Sequence, residues 1–324
     1  MSVIAGTLES TVRLATPLLL AAMGEVIAER SGVLNLGVEG MMLAGALGGF
    51  AAAVVSGSVW LGFLVGILAG AALGSLHAFL CITLKADQVI SGIMLTLLGT
   101  GLTTYFGRDF IGINIDGFAT ITIPGLSEIP VVGQAFFSVT ALDYLSLALV
   151  PVVWYFLFRT NVGAEITAVG EDPETADTAG IPVFRLQYAC VLLGGALAGA
   201  AGAQLSLAFT NFWGVEMVAG RGWIAVALVI FAQWGIWRLL AGAYLFAAID
   251  ALSFRSGAVG DAILGVADVS ALESALGFLL NPQVMNTYPY LMTVLVLWAV
   301  MRRGNLNEMG APGALLDAYS REQD

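Results

Sequence analysis

An all-helical, polytopic membrane bundle is the fold class that this sequence predicts, and three observations predict it. Hydrophobic residues fill 59% of the 324 positions and charged residues only 11%, against about 25% charged in an ordinary soluble domain. Mean hydropathy is +0.91. The apolar residues are gathered into blocks close to the ~20 residues that a helix needs to cross ~30 Å of hydrocarbon, separated by Gly-, Pro- or charge-bearing breaks. About nine spans (eight to ten) are expected in one transmembrane domain covering 1–324, some of them broken or re-entrant.

Taken in order, residues 1–9 are polar and carry no cleavable signal pattern, so the first apolar run is expected to be retained as a span over 12–28. Further spans are predicted over 33–55, 59–80 and 89–106. Residues 108–140, with their TITIP and LSEIPVV pieces, read as an irregular or short-strand loop outside the bilayer. A fifth span covers 142–158. The sixth, 186–209, contains GGALAGAAGA, whose small residues permit close helix contact. Spans seven (223–236) and eight (239–254) are short, their limits blurred by Gly222, Gly235 and Gly242, and the last covers 288–301. Residues 256–287 fit either an external amphipathic helix or one more re-entrant piece, and 304–324 reads as a polar, mobile tail.

One long interior run, 159–185, carries several charges without a sustained apolar block. Asp172 followed by Pro173 has the form of an N-cap with proline at the first helical position; Glu174 and Asp177 favour the positive end of the helix dipole; Gly180 with Ile181 and Pro182 stops the helix. A helix of about two turns on a water-facing loop follows. With this loop cytoplasmic, Arg30, Lys85, Arg159, Arg185, Arg238, Arg302, Arg303 and Arg321 fall inside, and Arg13, Arg108, Arg221 and Arg255 outside. That excess agrees with the positive-inside rule. Nine spans then put the N-terminus outside and the C-terminus in the cytoplasm.

Polar residues within apolar spans are costly and tend to face a cavity or the bundle interior. Asn35 and Glu39, four apart, are expected on one helix face, and Asn211, Glu216 and Arg221 precede the seventh span. Two glycine-interrupted polar segments, one in each half, fit the broken helices that flank a midplane pathway in transporters. The plainer alternative has Glu39 capping a half-helix and Glu216 pairing with Arg221. Phe212 and Trp213 flank the second segment, placed either to stack on a solute ring or to serve as interface belt residues. Trp154, Tyr155, Trp234, Trp237 and Trp298 read as belt anchors, and Asp250 as a partner of Arg255.

No GxxxxGK[ST] occurs, no His/Cys/carboxylate cluster is spaced for a metal, and no nucleophile sits beside a base, so an enzyme and a resident cofactor are not expected. Cys81, Cys190 and His77 read as packing residues. The net charge of −11, with Lys85 the one lysine, suits a salt-rich cytoplasm and does not suggest a nucleic-acid partner.

The stretch AVGEDPETADTAGI resembles the cytoplasmic coupling segment in permease subunits of ABC importers for simple sugars, nucleosides and branched-chain amino acids. ERSGVLNLGVEGMMLAGA (29–46), ADQVISGIMLTLL (86–98) and AGRGWIAVALVIFAQW (219–234) resemble further signatures of the nucleoside and sugar branch, in order along nearly the whole chain. Where the family often has Asn, this chain has Asp172, an equally good cap. The resemblance implies that Gly170, Glu171, Asp172, Pro173, Glu174, Ala176, Asp177, Ala179, Gly180 and Ile181 dock on a separate ATPase subunit that binds ATP, with Ala176, Ala179 and Gly180 entering its groove. It also implies a second permease, homologous or identical, an extracellular substrate-binding protein, and residence among the lipids of the cell membrane. The rival transport classes are a branched-chain amino-acid permease, a passive channel, and an ion-gradient-driven transporter, which would want paired intramembrane carboxylates or Arg–Asp couples that Glu39 by itself does not supply.

Overall fold

The structure, a computed structural model, describes residues 3–254 and 310–320, together with scattered positions between 284 and 302. Its helices are α1 (Val3–Glu29), α2 (Val38–Ser56), α3 (Val59–Ala78, continued by a π-helical turn to Thr83), α4 (Gln88–Phe106), α5 (Val132–Phe137), α6 (Ala141–Arg159), α7 (Asn161–Glu171), α8 (Pro173–Thr178), α9 (Val183–Gln204, continued by a π-helical turn to Phe209), α10 (Arg221–Ala232) and α11 (Ile236–Phe254). Among the described residues seven helices are long and apolar enough to cross a membrane: α1 to α4, α6, α9 and α11.

The bundle is built around α1, which is buried along nearly its whole length by α9, α10, α11 and α6. Beside it α2, α3 and α9 pack backbone against backbone. A methyl group on Gly45 would overlap the Gly199 backbone, and one on Gly70 would overlap the Gly195 carbonyl. Apolar side chains cannot drive helix association in a solvent as apolar as themselves, so close contact of small residues takes over that role. The outer faces of α3 and α4 present Leu64, Leu68, Ile90, Met94 and Leu97 outward, as a hydrocarbon surrounding requires.

The two ends of the bundle differ. At one, β1 (Thr120–Thr122) pairs antiparallel with β2 (Ser138–Thr140), Thr120 opposite Thr140, and Arg13 of α1 reaches Thr120. The expected strand-bearing loop is therefore present. Its anchor is Asp143, which closes a capping box with Thr140 and accepts from Thr16 at 2.7 Å and Gln204 at 3.4 Å. At the other end lie α7, α8 and residues 310–320, which pack on those helices instead of forming a free tail.

Three expected limits change. Residues 33–35 are non-helical and α2 begins only at Val38. The predicted seventh span is α10, 12 residues long, about 18 Å of helix and too short to cross. Gln233 and Trp234, at φ +48° and +54°, end it by turning the chain into the left-handed region. The segment 256–287 and nearly all of the predicted last span lie outside the described residues, as do Arg255, Arg303 and Arg321.

Candidate translocation and coupling sites

The polar core of the bundle forms where α2 starts. Gly40 packs on Leu95 and Thr96, and Gly99 packs on Gly40, so the first turn of α2 sits halfway along the 19-residue α4. There the Glu39 carboxylate accepts the Gly220 N–H at 2.8 Å and the Gly222 N–H at 2.7 Å. These amides open α10 and have no partner within it. Glu39 therefore caps a half-helix from the other half of the chain, at mid-depth and 8% exposed. A methyl at Gly222 would lie 2.5 Å from the Glu39 nitrogen, so only glycine lets the two elements approach this closely. Arg221 is buried beside them, donating to the Val218 and Met217 carbonyls and lying within Coulombic reach of Glu39 and Asp250. It is buried in the interior, whereas the arginine count had set it on the outer side.

The two polar segments singled out in sequence thus meet, with Glu39 capping a half-helix as the plainer alternative had it. Asn35 and Glu39 do not share a helix face, because Asn35 precedes the helix. Its carboxamide oxygen accepts the Gly37 N–H at 3.0 Å, and its backbone N–H donates to Glu25 at 2.8 Å. Residues 33–35 are held extended by His77, whose Nε2 lies 2.9 Å from the Leu34 carbonyl, and by Gln88, which accepts the Leu34 N–H at 2.7 Å. His77 is a hydrogen-bonding support and more than a packing residue. Asn211 and Glu216 adopt φ of +61° and +57°, and among the described residues Glu216 forms no ion pair with Arg221. Phe212 and Glu216 are exposed, whereas Trp213 is enclosed at 1% exposure, too deep to stack on a solute or to act as a belt residue. Trp234 is likewise interior, donating its indole N–H to Glu29 at 2.6 Å.

Sequence reading missed Glu25 and Glu29. They lie one turn apart on α1, each 1% exposed. Glu25 holds the Asn35 amide and Glu29 holds Trp234, and the two carboxyl groups hydrogen-bond to each other. The available signal was a pair of carboxylates at helical spacing in an otherwise apolar run.

The charged interior segment folds as two helices where one was expected. Thr160 caps α7 through the Gly163 N–H, and Asp172 ends α7 and caps α8, accepting the Glu174 and Thr175 N–H groups at 3.1 and 3.0 Å. The Thr175 hydroxyl, followed by these amides, holds the exposed Asp172 carboxyl below the usual carboxylate range. Gly180, at φ +83°, turns the chain out of α8. Ala176 faces inward, packed at 3% exposure among Val169, Val183, Ile181 and Leu186. This corrects the expectation for Ala176 alone: Ala179 and Gly180 are exposed, together with Glu171, Asp172, Glu174, Thr175 and Thr178.

From here the segment touches the interior directly. Gly170 lies against the Arg30 carbonyl so closely that a methyl would overlap it. The Arg30 guanidinium stacks 4.4 Å over Phe158 and donates to the Trp234 carbonyl. Burial draws it below its ordinary value while the Glu171 carboxylate opposes that shift.

Residues 7–301 match the family model described as branched-chain amino acid transport system / permease component. A Haloferax volcanii chain provisionally named glucose ABC transporter permease protein TsgC13 is 57% identical over 330 residues, covering 100% of both chains. The nucleoside ABC transporter permease protein NupC of Lactococcus lactis is 34% identical, over 87% of this chain and 88% of its own. The guanosine ABC transporter permease protein NupQ of Bacillus subtilis is 32% identical, over 91% and 92%. A solved inward-facing ABC transporter, provisionally of metal-chelate type, superposes with a TM-score of 0.50 at 14% identity over 92% of this chain and 85% of its own, a likeness of fold alone.

Proposed function

The chain belongs to the branched-chain amino acid transport system / permease component family, the multi-pass membrane permeases of ABC transporters, and from that premise we propose that it conducts simple sugars or nucleosides into the cell as one of two permeases in an ATP-driven importer. The observation that carries the substrate class is the full-length 57% identity to a chain named for glucose, alongside relatives named for nucleosides. Branched-chain amino acids have only the family's title in their favour. The acidic balance of −11 fits the Haloferax relative.

In this reading the chain crosses nine times, residues 210–220 and the half-helix α10 together making one crossing and the last span lying within 288–301. The N-terminus lies outside and the C-terminus in the cytoplasm, which suits the docking of 310–320 on α7 and α8. ATP belongs to a separate ATPase that meets α7 and α8, while a substrate-binding protein delivers solute at the strand-bearing end. Phe212 and Glu216 line the pathway by side chain. Asn35, Glu39, Asn211, Trp213 and Arg221 shape it from behind, holding the half-helix and the loop before it at mid-depth.

Among the described residues, the Glu25 and Glu29 pair and the buried Arg221 beside Glu39 and Asp250 are the features that an ion-gradient mechanism would claim. Transport into vesicles carrying the assembled complex separates the two: glucose or guanosine uptake should require ATP and survive collapse of the ion gradients. Uptake driven by a gradient in the absence of ATP overturns the proposal.

A further inference from the structure

Residues 310–320 form a strap across the coupling helices. The Ala314 N–H donates to the Gly170 carbonyl at 2.8 Å, the Gly313 N–H to the Glu171 carboxylate at 3.3 Å, and the Tyr319 hydroxyl to the Asp177 carboxylate at 2.9 Å. The Tyr319 ring lies 5.5 Å from Phe184 and closes the small cluster around Val169, Ala176 and Val183. Ala314 also lies against Gly32, so the strap ties α7, α8 and the loop after α1 into one body.

One large apolar residue of the strap does not serve that packing. Leu316 sits at φ +77°, in the left-handed region that a leucine occupies only at a cost, and its side chain is 52% exposed, whereas Ala314 is buried and Leu315 half-buried. The strap lies beyond the ends of α6 and α9, on the water-facing segment, so hydrocarbon does not cover it. An apolar side chain held out into water by a strained backbone gains nothing from its own chain; it gains when a partner removes it from solvent. It is carried by the same body as the outward face of α8, through Tyr319 and Asp177.

We propose that Leu316 is an apolar anchor for the ATPase subunit, and that the docking surface is a composite of α8 and the strap 310–320. The partner would offer an apolar notch for Leu316, set among donors facing Glu171, Glu174 and Asp317. This inference rests on the coupling reading above, and the test separates the two. In the full complex, Leu316→Gly suits the local backbone, so it should leave the melting temperature of the permease unchanged or raised. It should nevertheless weaken ATPase association about tenfold, the effect of truncating an interface hot spot, while Leu316→Met retains association. Ala179→Arg, on the outward side of α8, serves as the reference. Association lost in Ala179→Arg but intact in Leu316→Gly overturns the strap anchor and leaves the coupling reading standing. Association intact in both overturns the coupling reading as well. A lowered melting temperature in Leu316→Gly would assign the residue to the fold and also overturn the proposal.

Discussion

Two carboxylates in this protein cap the N-terminus of a short helix, and they do so under opposite conditions. Asp172 caps α8 from the adjacent position, in water. Glu39 caps α10 across a sequence separation of 181 residues, at mid-depth in the bundle. The hydrogen bonds are of the same kind and similar length, but the alternatives to them are not. Water can take over the amides of α8, whereas at mid-depth nothing replaces the lost acceptor. The energetic weight of a cap is set by what would satisfy the amide in its absence.

The sharpest way to break that comparison is to remove the deeper cap. Glu39→Ala leaves the buried Gly222 N–H and the half-buried Gly220 N–H open; at about 1–3 kcal/mol for each unsatisfied buried donor the loss is up to about 6 kcal/mol. Thermal unfolding of the purified permease should show a large drop, and an unchanged midpoint would mean that α10 does not depend on Glu39. Next comes Ala176→Arg, which overfills the cluster under α8 at a cost of about 1–3 kcal/mol, its charge escaping along the flexible stem to water. ATPase association and permease stability should fall together, because Ala176 faces the permease. Association lost at full stability would return Ala176 to the docking surface.

Asp172→Ala comes third: coupling should weaken slightly with the melting temperature of the bundle unmoved. A stability loss as large as that of Glu39→Ala would erase the distinction between the two caps. Smallest is the effect of pH. Because the folded Asp172 carboxyl is held below its ordinary value, its contribution is fully present above the ordinary carboxylate range and is lost only as pH falls through the depressed folded value. Between pH 8 and roughly pH 5 the contribution of this group to ATPase association should therefore stay constant. Asp172→Asn, which caps without titrating, should behave as wild type there; a divergence between the two within that window would show that Asp172 carries a charge contact instead of a cap.

The same contrast explains what could be read from sequence. Asp172 was legible because its partners follow it directly, and the long spans were legible because block length by itself identifies them. Glu39 was singled out as a polar residue in an apolar run, but its partner was not, since nothing in the order of residues brings position 39 to position 220. The inward turn of Ala176 escaped notice because a six-residue helix has too few turns to display a period. Residues 310–320 read as a free tail because much of their attachment runs through backbone amides, which composition does not record. The early end of α10 rests on left-handed backbone at Gln233 and Trp234, residue types that do not announce it.

Where α2, α3 and α9 meet, backbone lies on backbone with nothing larger than alanine methyls at the closest glycine contacts. Helices in such contact cannot adjust to one another by changing rotamers, and a slip of one along another would drive a side chain into a slot made for hydrogen. This trio is thus a natural fixed frame for a spectroscopic ruler. Spin or dye labels on the outward Leu64 and Leu68 of α3 mark the frame, and distances from them to labels at Trp223 on α10 and Thr178 on α8 would read, in ångströms, which parts of the molecule travel during ATP turnover.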